Sequence, residues 1–160
     1  EVRIRIGLAT GELVAGEVGS DASKSYTVLG DATEAAEFLE GASKRYGTTI
    51  LISEQTNRLA ANAIETREID LLAVPGNANP TPIYELLSRK GALSSELEEL
   101  RGFFGQGLEA YRLQDWNRAL DRFETCLRIK SDDGPTAIFL DRVRKLRERP
   151  PAANWGGVWL

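Results

Sequence analysis

The sequence predicts a mixed α+β fold, with a strand-rich part over residues 1–90, an all-helical part over 91–149 and a short Pro/Trp/Gly tail over 150–160. Three observations point there. Val2, Ile4, Ile6 and Leu8 alternate with Arg3 and Arg5, the two-residue period of a strand with one face buried. Short apolar runs separated by Gly, Pro and Asn turns continue to about residue 88. Near Gly91 the character changes, and from Ser94 onward apolar residues recur every three or four positions, the period of helices.

Taken in order, the first strand leads through Thr10-Gly11 into Leu13-Val14-Ala15 and Glu17-Val18, which reads as a β-hairpin. Tyr26 to Leu29 form a third short strand, stopped by Gly30-Asp31. Asp31 is placed to cap a helix whose Ala32, Ala35, Ala36, Leu39, Ala42 and Tyr46 share one face, and which ends near Gly47. Ile50-Leu51-Ile52 is a compact buried strand. Ser53 then starts a short helix through about Ala61. Residues 64–74 and 82–88 read as strands around the turn from Pro75 to Pro80.

In the helical part, Leu97, Leu100, Phe103, Phe104, Leu108 and Tyr111 belong to one helix, and Trp116, Ala119, Leu120, Phe123 and Leu127 to the next. Asp132-Asp133-Gly134-Pro135 interrupts the chain before a third helix, which Pro150-Pro151 ends near Arg149. On that helix the basic run at Arg142, Arg144, Lys145 and Arg147 reads as a solvated face. The last segment, Asn154 to Leu160, is too short and glycine-rich for a helix and is expected to lie on another surface through its tryptophans.

Composition removes several chemistries. The 160 residues include no histidine and one cysteine, Cys126, which excludes histidine triads, histidine metal sites, cysteine zinc clusters and any intrachain disulfide. A net charge of −4 with both signs interspersed argues against nucleic acid or an anionic membrane as the main partner. No apolar run approaches the roughly 20 residues that cross a bilayer. The chain opens without methionine, inside a strand, and so reads as the later part of a larger protein.

Arg5-Ile6-Gly7, Gly11, Ala15-Gly16, Gly19, the stretch Tyr26 to Asp31, Leu39-Glu40-Gly41 and Tyr46-Gly47-Thr48 stand in a fixed order. In that order they resemble the second half of the class III adenylyl and guanylyl cyclase catalytic domain. Ile50 to Gln55, Arg67 to Asp70 and Ile83 to Leu86 extend the likeness to about residue 88. The resemblance implies the C-terminal half of a ferredoxin-like (βαββαβ-type) domain. Gly107, Tyr111, Asp115-Trp116, Ala119, Phe123 and Leu127 are similar to one tetratricopeptide-like helical hairpin, with Ser131 where the usual proline stands. Its ending resembles multidomain bacterial cyclases with an upstream sensor, which implies a cytosolic position, with or without a membrane anchor elsewhere.

Intact members of the family convert ATP to cAMP and diphosphate in cyclic-nucleotide signalling, at a site shared between two catalytic domains, a homodimer or a heterodimer. The resemblance implies Mg or Mn held by aspartates of the first half of the domain, which this chain does not contain. The second half contributes a base-reading residue, an asparagine on the ribose, an arginine on the transition state and a lysine on the phosphates. The base-reading position falls on Thr27, which suits adenine. The other three fall on Glu34, Phe38 and Pro75, none of which supplies the expected contact. A carboxylate repels a triphosphate, a phenyl ring donates no hydrogen bond, and proline has neither charge nor N–H. Glu34, Phe38 and Arg45 share a stripe that faces the partner in the family, so Phe38 is also an interface candidate.

Two readings stand at this point. One is an adenylate cyclase domain with degenerate determinants. The other is a catalytically inactive pseudocyclase that dimerises or binds nucleotide, with the helical segment as its interaction surface.

Overall fold

The computed structural model describes residues 4–20 and 23–159. Val2, Arg3 and Leu160, named above, lie outside them. The chain is a mixed α+β fold. It begins with β1 (Ile6–Leu8), β2 (Val14–Ser20), β3 (Ser23–Leu29), α1 (Asp31–Tyr46), β4 (Ile50–Ser53) and α2 (Glu54–Leu59). β5 (Ile64–Leu72), β6 (Thr81–Arg89), α3 (Ser95–Arg112), α4 (Trp116–Ile129) and α5 (Gly134–Glu148) follow.

A four-stranded sheet has the order β1-β4-β6-β5, with β1 parallel to β4 and the other pairs antiparallel. β2 and β3 form a separate antiparallel ribbon, with Val14 opposite Leu29 and Glu17 opposite Tyr26. The expected hairpin between the first two strands is therefore wrong. Its cause is Gly7: a Cβ there would stand 2.0 Å from the Ala36 carbonyl oxygen, so β1 runs directly beneath α1. A strand so placed pairs with the strand that follows the helix, as in a parallel crossover, and β2 is left to pair with β3.

The same contact inverts the expected burial of β1. Gly7 faces the helix, and the apolar positions Ile4, Ile6 and Leu8 are exposed. The capping expectation for Asp31 also fails. Gly30 occupies the cap position with a φ of 149°, no side chain caps the helix, and Asp31 is its first residue. Gly30 is required there because a Cβ would meet Glu12 and Leu13 backbone atoms at 2.9–3.0 Å.

Side chains do cap the remaining helices. Ser53, Ser94, Asp115 and Asp133 accept the backbone N–H of Thr56, Leu97, Arg118 and Thr136, satisfying donors that a first helical turn leaves open. At the other end of α1, Gly47 adopts the left-handed conformation, and the Ser43 hydroxyl donates to the Thr48 carbonyl at 2.8 Å.

α3 and α4 form an antiparallel hairpin that needs a small residue at its crossing: a Cβ on Gly107 would stand 2.6 Å from the Phe123 ring. Phe104 meets Phe123 and Phe139 edge-on at 5.4 and 5.7 Å, and Tyr111 meets Phe139 and Trp155 at 5.0 Å. Such geometries favour the positive ring edge against a negative face. The tail folds back as expected, Trp155 packing on Tyr111 and Trp116.

One apolar cluster runs through both parts of the chain, from Leu39, Leu51, Ile69 and Ile83 to Leu100, Phe104, Phe123 and Phe139. Two arginines are buried within it. Arg67 on β5 donates to Glu85 at 2.6 Å and to both oxygens of Asp133, at the start of α5, at 3.1 and 2.6 Å. Arg142, placed by sequence on a solvated face, is buried instead and donates to Asp70 and Tyr46. Arg144, Lys145 and Arg147 are exposed as expected.

Burial alone would raise the Asp133 carboxyl, but Arg67 and Thr136 hold it below its ordinary value of 3.8. A lowered folded pKa gives stability that is present above the unfolded value and lost as pH falls through the folded one. Asp133→Asn should therefore cost up to about 3–5 kcal/mol at pH 7, where Arg67 loses one of its two carboxylate partners and keeps Glu85. Urea unfolding should show this gap narrowing below pH 3.8. A gap that stays constant down to pH 2.5 would show that Asp133 is not a titrating partner of Arg67.

Candidate functional site

The four positions singled out by sequence lie on three neighbouring elements. Thr27 is half-buried on β3 opposite Gly16, and its hydroxyl donates weakly to the Ser25 carbonyl at 3.4 Å. Three residues later the chain enters α1, whose exposed face carries Glu34 and, one turn on, Phe38. Phe38 is 36% exposed, an aromatic ring left partly in water within this chain. Glu34, Phe38 and Arg45 all point away from the core, as their shared stripe predicts.

Pro75 is separate from that stripe. It opens the turn after β5 and is half-buried against the first turn of α1. The next residue, Gly76, has a φ of 80°, and a Cβ on it would stand 2.7 Å from the Asp31 Cβ. A small residue at 76 is thus what lets the turn reach α1. The structure brings Glu34 and Phe38 together and sets Pro75 at the N-terminal end of their helix.

A crevice of about 410 Å³ opens beside Pro75, where the ends of β1 and β4 meet the starts of α1 and α2. Glu12, Asp31 and Glu54 line it with Arg58, an excess of negative charge that disfavours a triphosphate. No single stretch of sequence marks this crevice, because three separate segments supply these residues and only the fold brings them together. Among the described residues, no three carboxylate, histidine or cysteine side chains are grouped so that they could hold a metal ion. Burial pushes the Cys126 thiol up to about 11, so it carries no thiolate at neutral pH.

The two-stranded ribbon, the glycine beneath α1 and the turn against its first residue all lie within the stretch that matches a known family. Residues 1–88 match the profile of the adenylate and guanylate cyclase catalytic domain. The chain belongs to this cyclase family.

The cyclase relatives include the terminal-differentiation-specific adenylate cyclase of Dictyostelium discoideum, 28% identical over 145 residues, or 88% of this chain and 7% of that protein. That match continues into the helical part. Adenylate cyclase 1 of Rhizobium meliloti is 33% identical over 87 residues, 54% of this chain and 13% of its own length. The adenylate cyclase of Anabaena cylindrica is 35% identical over 88 residues, 53% of this chain and 18% of its own. The chain therefore spans less than a fifth of each of these relatives. The crystal structure of the adenylyl cyclase CyaB from P. aeruginosa is similar at a TM-score of 0.46 and 31% identity, over 56% of this chain and 45% of that one. No helix among the described residues is long and apolar enough to cross a membrane.

Proposed function

We propose that this chain is the second half of an adenylate cyclase catalytic domain that keeps the pairing surface of the family and has lost most of its substrate contacts. The observation that carries the reading is the exposed α1 stripe with Glu34 and Phe38, to which the resemblance gives the positions of the ribose-orienting asparagine and the transition-state arginine. On this reading the 3′-hydroxyl of ATP attacks the α-phosphorus and diphosphate leaves. The polar groups that would steady the developing charge are replaced by a carboxylate, a phenyl ring and Pro75. Losing one such donor costs about 100- to 1000-fold in rate, and three are missing.

Divalent metal, held by aspartates of the other half, belongs to this proposal as a property of the family. Three further features support the reading. Ile4, Ile6 and Leu8 leave an apolar strand face bare at the edge of the sheet, as expected where the remainder of a larger domain packs. Thr27 is retained at the base-reading position. The relatives with matched sequence are named adenylate cyclases. Residues 1–90 form the cyclase half on this account, 91–149 a tetratricopeptide-like helical segment and 150–160 the tail. Its setting is the cytosolic part of a larger signalling protein.

The decisive experiment uses a protein containing both halves of the domain. Glu34→Asn, Phe38→Arg and Pro75→Lys introduced together should raise cAMP formation from ATP with Mg or Mn by at least 100-fold over the unaltered sequence. The present chain alone should make none. No gain in a protein with demonstrated metal binding would show that these positions do not face substrate.

The exposed Phe38 ring favours the pseudocyclase variant of this proposal, in which a catalytic position has become an apolar contact between domains. Sedimentation of the same two-half protein should show weaker self-association for Phe38→Asp than for wild type. Identical monomer–dimer equilibria would remove Phe38 from the interface.

A further inference from the structure

We propose that the helical part positions α1, and that Arg142 is the positioning residue through which α5 holds it. The proposal rests on the cyclase reading only for the use made of α1, and its structural basis is independent. Arg142 lies midway along α5, and its side chain is 2% exposed. One guanidinium nitrogen donates to Asp70 Oδ2 on β5 at 2.5 Å, and another donates to the Tyr46 hydroxyl at 3.1 Å. Tyr46 is the last residue of α1 and is fully buried, and its hydroxyl also donates to Asp70. The second Asp70 oxygen accepts the Leu71 N–H at 2.8 Å. Three elements thus close one hydrogen-bonded group inside the core. The rings of Phe139 and Trp159 flank the guanidinium at 4.8 and 5.3 Å.

A second contact acts at the same end of α1. Gly134, the first residue of α5, is so close that a Cβ on it would stand 2.1 Å from the Tyr46 carbonyl oxygen. Farther along, Gly7 of β1 fits beneath Ala36 and Glu40 of the same helix. α1 is therefore held at its middle by the sheet and at its C-terminal end by α5. Rotation about its axis would carry Tyr46 out of the core, so keeping Tyr46 on Arg142 and Asp70 fixes the direction in which Glu34 and Phe38 point. The substrate-facing stripe of the cyclase half is thus oriented by a helix that lies outside the cyclase profile, which ends at residue 88.

Hydrogen exchange on the full chain tests this assignment, comparing α1 amides with those of α3 and α4. In Arg142→Met, amides in the C-terminal half of α1 should accelerate at least tenfold more than those of α3 and α4, which speed up only as far as global stability falls. Arg142→Lys, which retains a charge for Asp70 but cannot serve both partners, should show a smaller rise at the same amides and guards against a Met variant that does not fold. Wild-type exchange in α1 of either folded variant would overturn the proposal. So would equal acceleration in α1, α3 and α4, which would make Arg142 a general stabiliser. Domain pairing and cAMP formation do not enter this readout, so its failure leaves the cyclase reading standing, and failure of that reading leaves α1 held as described.

Discussion

Arg67 and Arg142 are charges enclosed in an apolar core, and neither finds its partners within its own segment. Arg67 of β5 needs Glu85 from the neighbouring strand and Asp133 from the start of α5; Arg142 of α5 needs Asp70 from β5 and Tyr46 from α1. Burial would lower both guanidinium pKa values, yet the facing carboxylates raise them, so both groups stay charged. Replacing such a pair with apolar residues is often harmless, whereas removing one partner strands a charge and costs about 3–5 kcal/mol. Separation of the helical part from the sheet would strand Asp70, Asp133 and Arg142 and leave Arg67 with Glu85 alone. The two pairs therefore fix how α5, β5 and α1 lie against one another, and the aromatic packing of Phe104, Phe123 and Phe139 fills the space they define.

This constraint separates the fate of the fold from the fate of the chemistry. The positions that shape the cyclase-matching part are those where backbone meets backbone, such as Gly7 beneath α1 and Gly30 at its start. Substitution there moves main chain. Glu34 and Phe38 are exposed, and Pro75 stands at the start of a surface turn. Exchange at such positions changes what the surface offers a ligand or a second domain while leaving the core intact. Core and surface thus draw on different residues, and change at one need not disturb the other.

Local patterns in the sequence were good guides where one segment decides its own structure. Ser53 at a helix start, Gly47 as a helix stop, the β5 and β6 strands and the three later helices all follow from nearby residues. Local pattern misleads where a distant segment decides. Alternation in Val2 to Leu8 indicates a strand but not which face meets a helix about 30 residues away, and Ile6 and Leu8, expected inside, are exposed. Arg142 shares a basic run with Arg144 and Lys145, and only the presence of Asp70 and Tyr46 beneath it draws it into the core. Thr27, Glu34, Phe38 and Pro75 are candidates by motif register alone, and the structure gives only their place in the fold. The acidic crevice beside Pro75 was not legible in the sequence, because no single segment encodes it.

The claim that the buried arginines join the two parts into one cooperative structure can be tested by equilibrium urea unfolding of the full chain with two probes. Trp116, Trp155 and Trp159 all lie beyond residue 91, so tryptophan fluorescence follows the helical part. Hydrogen exchange of β5 and β6 amides at each urea concentration follows the sheet. Coincident midpoints and equal slopes are predicted, because neither part keeps its buried charges paired without the other. A helical part that unfolds at a distinctly different urea concentration from β5 and β6 would contradict the account.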